Sequence, residues 1–152
     1  MTDRLEFTNH FKEIQLKCSR LYAVFISDAD LTISQYAVLN QLLSTKRIPM
    51  TEVGEKLNIT KPAVTHLVDR LEAKGYLKRV PHPKDRRIHL IEIQPNGDKI
   101  ARKIQTHFLN YLLHAFGKLN QDERKIIIRF YAILNDTISR ALLNPNLGPD
   151  ND

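Results

Sequence analysis

A single cysteine, Cys18, stands in 152 residues. One thiol excludes an intrachain disulfide framework and any zinc site built from several cysteines. It fits a reducing compartment. Long apolar runs are missing too. None approaches the ~18 residues that a membrane span needs. The opening residues, MTDRLEFTNH, lack the apolar core of a signal peptide. A cytoplasmic protein without a membrane partner is expected. Catalytic signatures are equally scarce. There is no His-x3-His, Cys-x2-Cys or Glu-x2-His cluster, no phosphate-cradling glycine loop, no nucleophile–base pair and no carboxylate dyad. His107 and His114 are seven apart on one expected helix, and His10 lies near the N-terminus. That is no ligand set. The sequence therefore predicts no metal, no cofactor and no enzyme. Internal repeats and low-complexity tracts are absent.

What remains is an ordinary globular composition, 42% hydrophobic and 26% charged, in a length that fits one domain over 1–152. The charge is uneven. Lys61 to Leu90 holds eight Lys or Arg against three Asp or Glu, a net +5 of the chain's +6. A local basic surface on a near-neutral body points to a polyanion met at one place.

Apolar spacing supplies the elements. Phe7, Phe11, Ile14, Cys18, Leu21 and Phe25 recur at steps of three and four, which predicts a helix over 5–27. Thr32 or Ser34 caps a second helix that buries Tyr36, Leu39, Leu42 and Leu43. Ile48-Pro49-Met50 reads as an extended connection. Thr51 opens a short third helix that runs to Leu57. Asn58 suits the left-handed turn that follows. Thr60 is the expected N-cap of a fourth helix, with Pro62 in its first turn. Val64, Leu67, Val68 and Leu71 form its core face, and Gly75 ends it. Tyr76–Val80 and Ile88–Ile93 alternate as half-buried strands around a loop with Pro81, Pro83 and Asp85. Two further helices span Gly97–Gly117 and Asp122–Leu143. The tail, 144–152, is rich in Pro, Gly, Asn and Asp and is expected to be flexible.

A capped helix with a basic polar face, followed by a basic hairpin, is a winged helix-turn-helix suited to double-stranded DNA. Lys61, Ala63, Thr65, His66 and Arg70 lie opposite the core face of the fourth helix. N-terminal side chains of such a helix reach base edges. Thr65 and His66 can hydrogen-bond bases, and Ala63 can touch a thymine methyl. Thr60 opens the same surface. Lys61 and Arg70 suit phosphates. Arg87, at the wing tip, suits a narrow, electronegative minor groove. Asp85 is placed to hold its guanidinium, while Lys84 and Arg86 meet the DNA backbone. The first and last helices are too apolar to wrap a small core alone, so a two-fold homodimer is expected to bury them.

The order ITKPAVTHLVDRLEAKGYLKR, then DRR, then Gly97, resembles the MarR (multiple antibiotic resistance regulator) family over Leu5 to Leu143. The resemblance implies a mainly α fold with a small β-wing (α+β). A winged helix-turn-helix core, 31–97, lies between dimerisation helices 5–27 and 98–143. It implies a homodimeric transcription regulator, read here as a repressor on a pseudo-palindromic operator, with DNA affinity set by a small ligand, a thiol or a metal. It also implies a pair between Asp69 and Arg79 that ties the fourth helix to the wing base. An effector pocket between dimer helices and core would be lined by Lys17, Arg20, Ile33 and Tyr36 and would attract a small aromatic carboxylate. Two departures stand out: Ile93-Gln94-Pro95-Asn96 precedes Gly97 where Leu-Thr is usual, and Val53-Gly54 stands where Leu-Ala is common. Neither touches the DNA-facing residues. Cys18 lies on the apolar stripe and reads as core packing, with redox triggering the alternative. A metal trigger and nonspecific nucleic-acid binding are the others.

Overall fold

The computed structural model describes residues 2–85 and 87–143. Arg86 and the tail from 144 lie outside the described residues. The chain divides into two compact units, Met1–Leu109 and Asn110–Asp152. The first holds α1 (Thr2–Asp28), α2 (Ile33–Thr45), β1 (Arg47–Pro49), α3 (Met50–Leu57), α4 (Lys61–Ala73), β2 (Leu77–Pro81), β3 (His89–Ile93) and most of α5 (Pro95–Gly117). The second holds the end of α5 and α6 (Gln121–Leu143).

Local chemistry sets the boundaries. Thr32, not Ser34, caps α2. Its Oγ1 accepts the Gln35 backbone N–H at 3.2 Å, and the Gln35 Oε1 accepts the Thr32 N–H at 2.9 Å. This reciprocal box satisfies two donors that the first turn leaves open. Asn58 turns the chain after α3 at φ 51°, the left-handed region its short polar side chain tolerates. Thr60 precedes α4 in extended conformation, but its hydroxyl makes no capping bond. Pro62 removes one of the two N–H groups such a cap would serve. Gly75, at φ 67°, ends α4. Its N–H donates to Glu72 O and the Tyr76 N–H to Leu71 O, at 2.9 and 3.0 Å, which is a Schellman arrangement.

The sheet is antiparallel in the order β1-β3-β2. Ile48 faces Ile91, Val80 faces Leu90 and Leu77 faces Ile93. The stretch read as an extended connection is thus an edge strand, shifted by one residue to Arg47–Pro49. Three residues are too few to show alternation, and an edge tolerates Pro49. Leu39, Leu42, Val53, Val68, Leu71 and Ile91 are fully buried between α2, α3, α4 and the sheet. Ala101 and Ile104 bring α5 to this core, and Ile26 brings α1. The Tyr22 ring stacks on Phe108 at 4.2 Å.

Gly97 lets α5 begin against the wing base. A Cβ there would stand 2.0 Å from Tyr76 O. Asp98, in the first turn, accepts from Arg102 Nε at 2.6 Å and from Lys46 Nζ at 2.8 Å. These cations hold its carboxyl down at about 2. In the second unit Asn120 Oδ1 accepts the N–H groups of Asp122 and Glu123, which caps α6. Arg124 donates to the carbonyls of Phe116 and Gly117. No residue of α6 is buried. Among the described residues, no helix is long and apolar enough to cross a membrane.

Candidate nucleic-acid interface

Val64, Val68 and Leu71 are buried, so the fourth helix must turn its other face outward. Lys61, Ala63, Thr65, His66 and Arg70 are all exposed on that face, as is Thr60 at its start. The Thr65 hydroxyl donates to Lys61 O at 3.1 Å, which leaves its lone pairs outward as acceptors. Lys84, Asp85 and Arg87 are exposed on the wing. A cleft of about 590 Å³ brings α3, α4 and the wing together. Lys61, Thr65 and Arg87 line it, with Thr51, Glu55 and His89, which the sequence reading did not single out. Which face α3 shows is decided by packing against α4, so no local pattern marks Thr51 and Glu55.

The cations of this segment fall into two sets. Lys74 pairs with Asp30 at 2.7 Å, Lys78 with Glu92 at 3.1 Å, and Arg79 with Asp69 at 2.5 Å and also with Glu72. Lys61, Arg70, Lys84 and Arg87 have no acidic partner among the described residues. The paired set sits where elements join. The unpaired set sits on the outer face of α4 and on the wing. Cations without a protein acceptor are available to phosphate.

Arg79 ties wing to helix as expected through Asp69, but Glu72 does more. Its Oε1 accepts the Arg79 backbone N–H at 2.9 Å, while Oε2 accepts from the guanidinium. Partial burial works against the Arg79 charge, yet the bonds to Asp69 and Glu72 leave its pKa raised. Glu72 sits three residues after Asp69 on α4, and that spacing is the signal that could have marked it.

The wing turn differs from expectation in one respect. Asp85 does not grip the Arg87 guanidinium. Its Oδ1 accepts the Arg87 backbone N–H at 2.9 Å. In a turn this short, a carboxylate reaches the N–H two residues on more readily than a long flexible side chain. His82, also not singled out, accepts the N–H groups of Lys84 and Asp85 on Nδ1, at 3.2 and 3.1 Å.

Neither described cleft gathers the four residues assigned to an effector pocket. Lys17 is exposed and pairs with Glu13 at 2.6 Å. Arg20 is exposed, and Ile33 is 68% exposed. Tyr36 is a core residue whose hydroxyl burial pushes up to about 12. None of them lines the α4–wing cleft or a second one of about 530 Å³ beside Asp30, Thr32, Gln35, Arg70 and Lys74. Cys18 is half-buried. Among the described residues, no group of three His, Cys, Asp or Glu is placed to hold a metal ion.

Comparison with known proteins adds three findings. Residues 29–88 match the model of the MarR family. The multiple antibiotic resistance protein MarR of Salmonella typhimurium is 31% identical over 90 residues, which is 59% of this chain. The match spans 62% of that relative's length. Among solved structures, the transcriptional regulator Tm0710 of Thermotoga maritima superposes with a TM-score of 0.77 at 25% identity, over 92% of this chain and 99% of that one. A mutant MepR of S. aureus, solved bound to an oligodeoxyribonucleotide, gives a TM-score of 0.68 at 20% identity, over 88% and 96%.

Proposed function

We infer that the chain is a member of the MarR family, whose model its residues 29–88 match, and from that premise we propose that it is a homodimeric transcription repressor that binds a pseudo-palindromic duplex and carries no catalytic activity. One observation carries the DNA-binding part. Of the cations described between Lys61 and Leu90, those at element junctions are paired, while Lys61, Arg70, Lys84 and Arg87 are exposed and unpaired on α4 and the wing. Lys61, Arg70 and Lys84, with Arg86, give salt-dependent grip on phosphates. Ala63, Thr65 and His66 read the major groove from the helix that Thr60 opens, and Arg87 reads the minor groove with its backbone held by Asp85.

The test begins with duplexes selected by the wild-type chain from a random pool. Titration by fluorescence anisotropy should show a preference of at least about a thousandfold over bulk DNA. Arg87→Ala should weaken binding by roughly tenfold or more, and His66→Ala should change the selected sequence. Equal affinity for selected and random DNA would leave only a nonspecific binder. A small aromatic carboxylate remains the first effector class to titrate, because Lys17 and Arg20 are exposed cations on α1. Such a ligand lowers DNA affinity only if it binds free protein more tightly than bound protein.

A further inference from the structure

The wing turn is held by a short relay that begins at an imidazole. His82 Nδ1 accepts the backbone N–H groups of Lys84 and Asp85, at 3.2 and 3.1 Å. Asp85 Oδ1 then accepts the Arg87 N–H at 2.9 Å. Two backbone bonds close the turn around them: His82 N–H to Ile88 O at 3.2 Å, and Ile88 N–H to Asp85 O at 3.1 Å. Pro81 and Pro83 flank the histidine and bring no N–H of their own. Every residue between His82 and Ile88 with a described N–H is therefore tied, directly or through Asp85, to one ring nitrogen.

That nitrogen can accept only while it is unprotonated. A neutral imidazole with its proton on Nε2 offers Nδ1 as an acceptor, whereas the doubly protonated ring has two donors and none. We propose that His82 is a positioning residue for DNA binding, whose neutral imidazole sets the wing turn that presents Arg87 and whose protonation releases it. The proposal rests on the reading of the wing as a DNA contact. Among the described residues, the charged and titratable groups of the same turn are Lys84, Asp85 and Arg87, with His89 on β3 opposite Pro81. His89 is the other imidazole among them. A proton on the half-buried His82 also adds a cation near the DNA, which favours binding, whereas loss of the turn weakens it, so the sign of the change separates the two effects. Loss of the turn acts directly on where Arg87 is held.

Affinity for the selected duplex is measured from pH 7.5 to 5.5 at fixed salt for wild type, His82→Asn, His82→Ala and Arg87→Ala. Asparagine places its Oδ1 near the Nδ1 position and does not titrate. His66 and His89 are present in the wild type and both His82 variants, so their protonation cancels in the ratios. His82→Asn should match wild type at pH 7.5, and wild type should lose at least threefold relative to it by pH 5.5. His82→Ala should be weaker than wild type at pH 7.5, and the gap should close as wild type is protonated. In free protein, the Lys84 and Asp85 amide resonances should shift over this range in wild type and stay fixed in His82→Asn. Parallel pH profiles with flat amides, while Arg87→Ala still weakens binding, would overturn the role of His82 and leave the wing contact intact. An Arg87→Ala variant that binds like wild type would overturn the wing contact itself, and the role of His82 with it.

Discussion

Gly97 shows how one missing carbon positions a helix. α5 starts close to Tyr76, the residue that leads from α4 into β2, and a Cβ at 97 would fall 2.0 Å from its carbonyl oxygen. No side chain can turn away from that contact, since the clash is with backbone. Helix propensity alone would favour alanine by up to about 1 kcal/mol. The clash outweighs it, because the chain must shift at the wing base. Gly97→Ala should destabilise by about 1–3 kcal/mol, the usual cost of overpacking a tight site. At Gly54 an added Cβ would stand 3.2 Å from Ile59 O and 3.3 Å from Val64 Cγ2. Gly54→Ala should therefore cost less, and thermal melts of the two variants check the order. Gly97 was visible in the sequence as the residue that closes the wing. Its reason was not, since the partner is a carbonyl 21 positions earlier. The same holds for His82 and Asp85. Which of a residue's own turn atoms a short side chain reaches depends on a geometry that spacing does not encode.

Between elements, the joints are ionic and asymmetric. The α4–β2 joint rests on Arg79, held by Asp69 from one turn of the helix and by Glu72 from the next. Glu72 also takes the Arg79 backbone N–H, so it fixes the strand as well as the side chain. Glu72→Ala should therefore lower stability more than Asp69→Ala. Both effects should be modest, about 1 kcal/mol, since the pair is partly exposed. Both variants should also weaken binding of the selected duplex proposed above, because the wing leaves this joint. The α5 joint is Asp98 between Arg102 and Lys46. Its folded pKa, about 2, lies below the ordinary carboxylate value of 3.8. The stabilisation is therefore complete above the ordinary value and is lost as pH falls from there towards about 2. Acid titration of stability should be steeper for wild type than for Asp98→Asn over that window. At this scale the sequence was most legible. Helical periodicity and end signals together marked the six described helices within a few residues, and Asn58, Gly75 and the Thr60 position were readable as ends. β1 was not, because three residues with a proline show neither alternation nor a strand-like composition. Thr51, Glu55 and His89 escaped notice for a related reason: their place beside Lys61 and Arg87 is a product of packing.

Among the described residues, α1 and α6 each leave large apolar side chains uncovered. On α1, Leu5, Phe7, Phe11 and Ile14 are each more than half exposed. On α6, the half-buried Ile127 and Leu134 lie in the middle of a wide apolar arc. One flank carries Ile126 and Ile133, the other Ile128, Tyr131, Ile138 and Leu142, all at least half exposed. A helix apolar over so much of its circumference is stable in water only when other surfaces cover it. A second copy can do so with the same residues twice, which is the economy of a two-fold interface. DNA binding argues the same way. On the proposed reading one α4 and one wing engage a single half-site, so a duplex with two half-sites about one helical turn apart requires two of each. Sedimentation at micromolar concentration should therefore give about twice the 17.6 kDa of one chain. Glutamate at both Ile128 and Ile138 would bring charge to one flank of the arc while leaving the residues of α4 and the wing unchanged. That double variant should sediment as a monomer and lose most of its affinity for a two-half-site duplex. Its affinity for an isolated half-site should change little. A wild-type chain that sediments at 17.6 kDa and still binds the full duplex tightly would show that these exposed stripes serve something other than a second copy.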